Sequence, residues 1–172
     1  MYDFTYHKPT SVNEAVKLFA EVEDGVYLAG GHTLLPSMKQ RLAQPTDVID
    51  LSNIADLHGI SYGGKDVEIG ALARHEEVAT SPVVASVLPA LAGLAANIGD
   101  AQVRNRGTIG GSVSNADPAA DYPAAVLALN AVIVTDRREI AADDFFVGMF
   151  ETALEEGELL RSIKFPKPEN AA

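Results

Sequence analysis

The sequence of 172 residues contains no cysteine. Without thiols the chain cannot form disulfides, use a thiolate nucleophile, or ligate zinc or an iron–sulfur cluster through sulfur. Any redox chemistry in this chain must therefore come from an organic cofactor.

Basic residues are few, 13 against 24 acidic ones, and the formal net charge is −11. This charge disfavours nucleic acid and anionic membrane surfaces as partners, because both would be repelled at long range. A phosphate group would have to be held by local N–H dipoles rather than by a basic patch.

Long apolar runs are also missing, since no stretch reaches the roughly 18 residues that a membrane-spanning helix needs. The N-terminus does not have the basic and then apolar pattern of a signal peptide, so we expect a cytoplasmic location. An apolar share of 47% and a charged share of 22% are typical of a globular fold.

The first fifty or so residues show alternating strand and helix patterns. Ser11 and Glu14 form a capping-box pattern that predicts the start of a helix. The remaining predictions in this part are strands at 2–6, 26–29 and 46–51 and a helix at 33–42. We therefore expect a small β-α-β-α-β lobe at residues 1–53.

After residue 53 the pattern changes to a hairpin followed by helices and closing strands. The predicted strands are 60–62, 67–69, 131–135, 139–141 and 159–165, and the predicted helices are 74–79, 83–96 and 121–130, the last capped by Asp121. Residues 102–115 are expected to be irregular or weakly extended, and 167–172 to form a frayed polar tail. These elements predict a second, larger lobe.

Two twin-glycine turns are the most informative motifs, AGGHTLLP at 29–36 and TIGGSVSNADPAAD at 108–121, each expected just after a strand. A Gly-Gly step can adopt positive φ and present consecutive N–H groups to phosphate oxygens. Two such turns predict one long diphosphate cofactor. The first turn alone is also compatible with a simple tight connection, with His32 at the surface and Thr33 as a helix cap.

The second turn carries more polar groups than a plain turn needs: Thr108, Ser112, Ser114, Asn115, Asp117 and Asp121. Such groups suit hydrogen bonds to ribityl, ribose or ring edges. Alternatively, the two aspartates only cap turns and helices. Arg104 and Arg106 could contribute charge to a diphosphate or serve as ordinary surface residues.

Other site classes lack their fingerprints. The sequence contains no G-x-G-x-x-G, no G-x-x-x-x-G-K-[ST] and no G-x-S-x-G motif. The four histidines have no metal-ligand spacing, so a metal centre is not expected.

Four segments carry a resemblance to a known family: AGGHTLLPSMKQRL, VIDLSNIADLHGI, VEIGALARHEEV and IGDAQVRNRGTIGGSVSNADPAADYPAA. From Phe4 to about Pro166 the chain resembles the FAD-binding medium subunit of molybdenum hydroxylases of the aerobic carbon monoxide dehydrogenase and xanthine dehydrogenase type. The resemblance implies an α+β, two-lobed FAD-binding domain of the vanillyl-alcohol-oxidase/PCMH type. The lobes would be residues 1–53 and 54–172, and the family's further C-terminal domain is not found in this sequence.

The resemblance also implies which residues contact FAD. Ala29, Gly30, Gly31, His32, Thr33 and Leu34 would wrap the diphosphate from one lobe, and Thr108, Ile109, Gly110, Gly111 and Ser112 from the other. Ile98 would place an apolar side chain near the cofactor, Asp121 would hydrogen-bond the flavin, and Leu160 would lie by the adenine. Asn115, one of the polar residues of the second turn, is also expected to bind the cofactor. Ser112 stands where the family commonly has Asn and keeps a hydrogen-bond donor.

By the same resemblance the chain would take electrons from [2Fe–2S] clusters on a small subunit of a complex whose large subunit holds the molybdenum cofactor. Through FAD it would pass these electrons to quinone, NAD or oxygen. No side chain of this chain would be catalytic, and the chain would be inactive without its partner subunits. The alternative hypothesis is a non-catalytic assembly module that binds FAD weakly or not at all. The substrate and the acceptor are not encoded in this chain.

Overall fold

Two sheets organise the chain, seen over residues 1–168 in a computed structural model. The first sheet is parallel, in the order β1-β3-β2, with β1 at Thr5–His7, β2 at Gly25–Leu28 and β3 at Asp47–Asp50. Helices α1 (Val12–Glu21) and α2 (Leu34–Lys39) follow its first two strands. Short 3₁₀ turns at Leu51–Asn53 and Ala55–Leu57 lead into the second sheet.

The second sheet is antiparallel, in the order β4-β5-β10-β6-β7. Its strands are β4 (Ile60–Tyr62), β5 (Asp66–Gly70), β6 (Val132–Thr135), β7 (Glu139–Ala141) and β10 (Leu160–Pro166). The helices of this part are α3 (His75–Thr80), α4 (Pro82–Val87), α5 (Pro89–Ala96), α6 (Ala101–Arg104), α7 (Ile109–Asn115), α8 (Asp121–Ala128) and α9 (Ala142–Phe145). A small hairpin pairs β8 (Phe146–Gly148) with β9 (Glu151–Thr152).

Most of the predicted elements are present with shifted ends. Ser11 caps α1 by accepting the Glu14 N–H at 3.2 Å, although the Glu14 carboxylate accepts from Thr10 N–H rather than from Ser11. The predicted helix over 83–96 is broken between Leu88 and Pro89, because proline lacks an N–H and restricts the residue before it. The predicted polar tail falls partly on residues 169–172, which lie outside the described residues.

The prediction of irregular structure over 102–115 is wrong. Asp100 caps α6 by accepting the Val103 N–H at 2.8 Å, and Thr108 caps α7 by accepting the Gly111 N–H at 3.2 Å. The second twin-glycine turn therefore opens a helix and follows α6, not a strand. Asp121 was expected as the cap of α8, but the cap position is Ala120 and Asp121 is the first helical residue.

Two hydrophobic cores support the two sheets. The larger contains residues of β5, β6, β10, α3, α5, α7 and α8, whereas the smaller packs α1 against β3. Leu72 and Leu159 come from the later part of the chain but belong to the smaller core, together with Leu57. These three residues therefore pack the later part of the chain against the first sheet. The division into lobes at residue 53 stays a prediction.

A column of contacts fixes the distance between the two sheets. A β-carbon on Gly30 would collide with the carbonyl oxygen of Arg106 and lie 2.9 Å from Gly107 Cα. A β-carbon on Gly107 would lie 2.5 Å from His75 Nε2, and the His75 ring packs on Tyr122 with centroids 5.3 Å apart. Main chain thus contacts main chain where the first sheet meets the second.

Gly110 allows two backbone segments to pack closely, because it has no side chain. It has no positive φ, and a β-carbon there would lie 2.7 Å from the Ala71 carbonyl oxygen and 2.8 Å from Ala71 Cα. We expect Gly110→Ala to lower the free energy of unfolding by about 1–3 kcal/mol, because the backbone at residue 71 must move. Urea unfolding followed by circular dichroism measures the change.

Gly93 in α5 provides the matched control, since a β-carbon there would meet no atom within 4 Å. Gly93→Ala should leave stability unchanged or raise it by about 0.5–1 kcal/mol through helix propensity. Equal effects of the two substitutions would contradict the packing role of Gly110.

His75 should make stability depend on pH. The residue is buried, with 6% of its surface exposed, and its Nδ1 has no hydrogen-bond partner among residues 1–168. Burial lowers the His75 pKa to about 4, with a further lowering by His32 and an opposing effect of Asp121. Because the unfolded chain binds the proton more readily, stability should be full above about pH 6.5 and fall as the pH drops toward 4, by up to about 3 kcal/mol.

The measurement is urea unfolding of the parent and of His75→Gln at several pH values between 4 and 7. The difference in unfolding free energy between the two proteins should shrink as the pH falls, whatever the absolute cost of the substitution. Parallel curves would show that His75 does not titrate in this way.

Candidate functional site

A single cleft of about 620 Å³ brings the two twin-glycine turns together between the sheets. Predicted site residues in its wall are Ala29, Gly30, Gly31, His32, Thr33, Leu34, Thr108, Gly110, Gly111, Ser112, Asn115 and Leu160. A β-carbon on Gly111 would lie 3.8 Å from Ala29 Cβ, so the turns are near neighbours. The prediction that both turns face one elongated site is consistent with this arrangement.

The first turn has the geometry expected of an anion cradle. Gly31 has φ +75°, the left-handed conformation that glycine adopts without strain. Within residues 1–168, the N–H groups of Gly31, His32 and Thr33 donate to no other residue. Thr33 makes no side-chain capping bond to α2, so its hydroxyl is also available to a ligand.

The second turn is built differently from the expectation. Ile109 N–H donates to Ala73 O at 3.0 Å, Gly110 N–H to Ala71 O at 2.9 Å, and Gly111 N–H to the Thr108 hydroxyl. Neither Gly110 nor Gly111 has positive φ. The expectation of a row of open N–H groups is therefore wrong for this turn, which offers the cleft a bare glycine surface and polar side chains.

Polar side chains continue along α7 and beyond. Ser112, Ser114, Asn115 and Asp117 line the cleft. Asp117 Oδ1 accepts the Ala119 N–H at 2.9 Å, so the turn-capping alternative holds for this aspartate even though it borders the cleft.

Three predicted site residues lie outside the cleft wall. Ile109 is fully buried in the larger core, and Ile98 packs partly buried against that core. Asp121 is close enough to affect the His75 pKa, but Ala120 and Asp117 border the cleft in its place.

Arg104 is paired with Glu76 at 2.9 Å and donates to Ile98 O, so it does not supply charge to the cleft.

Several lining residues were not predicted, because the apolar ones look like ordinary core in the sequence and no motif marks His75 or Glu158. They are Tyr27, Leu51, Leu72, His75, Leu154, Glu158 and Leu159. Tyr27, Leu51, Leu72 and Leu159 also pack together in the smaller core. One part of the cleft is consequently apolar, which suits a flat ring.

The charges near the cleft fit a ligand anion held by dipoles. The lining residues include no lysine or arginine among the described residues. The Glu158 carboxylate is neutralised by Arg138, and the hydrogen bonds from Arg138, the Glu155 N–H and Thr135 lower the Glu158 pKa to about 2. His75 is uncharged at neutral pH because burial lowers its pKa.

The described residues show neither a metal cluster nor a membrane-spanning helix. Residues 1–168 contain no group of three or more His, Asp or Glu side chains arranged to hold a metal ion. Within that range, none of the helices combines the length and apolarity required to span a bilayer.

Comparison with known proteins matches the chain to a family. Residues 2–168 match the model of the FAD binding domain in molybdopterin dehydrogenase. The carbon monoxide dehydrogenase medium chain of Hydrogenophaga pseudoflava is 46% identical over 168 residues, covering 95% of this chain and 58% of that protein. The nicotine 6-hydroxylase medium subunit of Paenarthrobacter nicotinovorans is 40% identical, and the match covers 96% of this chain and 60% of that protein.

Solved structures show the same fold. Carbon monoxide dehydrogenase of Hydrogenophaga pseudoflava superposes with a TM-score of 0.94 at 45% identity, over 96% of this chain and 60% of that one. Quinoline 2-oxidoreductase of Pseudomonas putida 86 superposes with a TM-score of 0.95 at 35% identity, over 98% of this chain and 60% of that one. The chain thus spans about three fifths of the length of these relatives.

These matches confirm the predicted fold class and the predicted cofactor. The open N–H groups at Gly31–Thr33, the bare glycine surface opposite and the apolar end of the cleft fit a dinucleotide with an anionic centre and flat rings. The chain belongs to the FAD-binding domain family of the molybdopterin dehydrogenases, and its cofactor is FAD.

Proposed function

We propose that this chain forms the FAD-binding part of an electron-transfer subunit of a molybdenum hydroxylase. The observation that supports this most directly is the meeting of both twin-glycine turns on one cleft, in a chain of this family. The relatives are subunits of dehydrogenase and hydroxylase enzymes.

The two sides of the cleft take different parts in holding FAD. The open N–H groups of Gly31, His32 and Thr33 bind the diphosphate, since dipoles can hold an anion without a basic residue. The turn from Thr108 to Ser112 closes over it with glycine surface and hydroxyls. Leu160 lies by the adenine, and Asn115 hydrogen-bonds the cofactor.

Bound FAD supplies the one- and two-electron redox chemistry, as organic cofactors generally do in such enzymes. The residues of this chain bind the cofactor, orient it and exclude water from it. No side chain has to act as an acid or a base.

Partner subunits complete the proposed pathway. Electrons arrive from [2Fe–2S] clusters on a small subunit, having left the substrate at the molybdenum cofactor of a large subunit, and they leave to quinone, NAD or oxygen. The complex works in the cytoplasm, and this chain is inactive alone. The names of the relatives include carbon monoxide, nicotine and glyceraldehyde, so the substrate does not follow from the resemblance.

Equilibrium titration of the chain with FAD distinguishes this proposal from the alternative of a non-catalytic assembly module. Flavin absorbance that stays with the protein through gel filtration supports the proposal. A protein that remains colourless after incubation with excess FAD would favour the assembly module.

Gly111→Val should weaken FAD binding at least tenfold, which corresponds to about 1.4 kcal/mol. A side chain at this position starts 2.8 Å from the Thr108 hydroxyl and 3.8 Å from Ala29 Cβ, and it narrows the cleft between the turns. Titration with FAD gives the dissociation constant, and urea unfolding reports the cost of disturbing the Thr108 cap, about 1 kcal/mol.

Gly93→Val is the control, because it makes the same change in a helix at a position with open space. Its FAD affinity should equal that of the parent. If Gly111→Val bound FAD as tightly as Gly93→Val, the second turn would not border the cofactor.

A further inference from the structure

One segment of the chain, residues 155–160, bridges the two sheets at the apolar part of the cleft. The Tyr27 hydroxyl on β2 donates to the Gly157 carbonyl oxygen at 3.0 Å. Gly157 has φ +69°, and a β-carbon there would lie 2.8 Å from the Phe19 ring. Phe19 of α1 packs on Tyr27 of β2 with ring centroids 4.8 Å apart, so an aromatic pair of the first lobe holds this bridge segment.

The other side of the bridge segment is held by the turn between β6 and β7. Arg138 donates to the Glu158 carboxylate through Nε at 3.0 Å and Nη2 at 2.9 Å. Asp136 accepts the Leu159 N–H at 2.7 Å and donates its own N–H to Leu159 O at 2.9 Å. The segment is therefore fixed from both sheets at once.

Glu158 has every contact that a buried carboxylate needs. Its side chain has no exposed surface, and it also accepts from the Thr135 hydroxyl at 2.7 Å and the Glu155 N–H at 2.9 Å. Burial of an ion pair adds little net stability, but a fully hydrogen-bonded pair selects one conformation. The network thus specifies the path of the chain rather than its stability.

The residues that the network holds are cleft residues. Glu158, Leu159 and Leu160 all line the cleft, and Tyr27 lines it beside them. A ring placed between apolar side chains binds more tightly when those side chains are already ordered, because ordering them on binding costs entropy. A bridge segment that is ordered before binding therefore favours the binding of a flat ring in this part of the cleft.

We propose that Tyr27 and Glu158 are positioning residues that fix the bridge segment so that Leu159 and Leu160 receive the adenine end of FAD. This inference rests on the proposed function, and it adds that the selection of a dinucleotide over a mononucleotide depends on a network outside the glycine turns. Burial raises the Tyr27 pKa, which keeps the hydroxyl protonated as the donor to Gly157.

Tyr27→Phe tests the proposal with least risk to folding, since it removes one hydroxyl and keeps the ring. The dissociation constants of FAD and of ADP should both rise about three- to tenfold, as expected for one lost hydrogen bond. The constant for FMN, which lacks the adenylate, should not change. ADP and FMN are measured by displacement of bound FAD or by direct calorimetry.

Tyr62→Phe is the matched control. Its hydroxyl also donates to a main-chain carbonyl, that of Gly64 at 2.9 Å, but it lies on the exposed hairpin away from the cleft. Its dissociation constants for FAD, ADP and FMN should equal those of the parent. Glu158→Gln, which removes the charge that Arg138 binds, should shift FAD and ADP in the same direction as Tyr27→Phe.

The outcomes separate the two proposals. If the parent binds no FAD, the proposed function is overturned, and this inference with it. If the parent binds FAD but Tyr27→Phe leaves ADP unchanged, or weakens FMN as much as ADP, only the positioning role is overturned. If Glu158→Gln does not fold, the result with Tyr27→Phe decides.

Discussion

The close approach of two main-chain segments is the constraint on which the site depends. Gly30 of the first turn lies directly against the Arg106 carbonyl and Gly107, with no room for a side chain on either glycine. Gly107 in turn rests on the buried His75 ring, which packs on Tyr122 in the larger core. A cleft with backbone on both sides exists because this column sets the spacing of the sheets.

Electrostatics follow from the same arrangement. A chain with a net charge of −11 binds an anionic cofactor without a lysine or arginine among the described cleft residues. In the proposed function the N–H groups of the first turn, open within residues 1–168, supply the attraction, while Arg138 neutralises the buried carboxylate of Glu158. Under that proposal local dipoles outweigh the long-range repulsion, since the nearest groups contribute most to the field at the site.

Sequence patterns predicted the elements whose signals are local. The Ser11 cap and the positive φ of Gly31 depend on residues close in the chain, and the strand segments carry local patterns even though their pairing joins distant residues. The error at 102–115 has a physical cause: glycines that look like helix breakers fit inside α7 because Gly110 packs against the Ala71 backbone. That contact joins positions almost forty residues apart, and no local pattern encodes it.

The sequence by itself determined that no thiol chemistry is possible in this chain, and its motifs indicated the family that the comparison confirmed. It also predicted that the two twin-glycine turns hold a diphosphate with backbone groups. Only the tertiary structure decided how the two turns share the work. The N–H groups of Ile109 and Gly110 pair with the carbonyls of Ala73 and Ala71, whereas those of Gly31, His32 and Thr33 donate to no residue in the part of the chain that the structure describes. The reason is that hydrogen-bond partners distant in the chain become known only when the sheets are packed, and a donor already in use cannot hold a ligand.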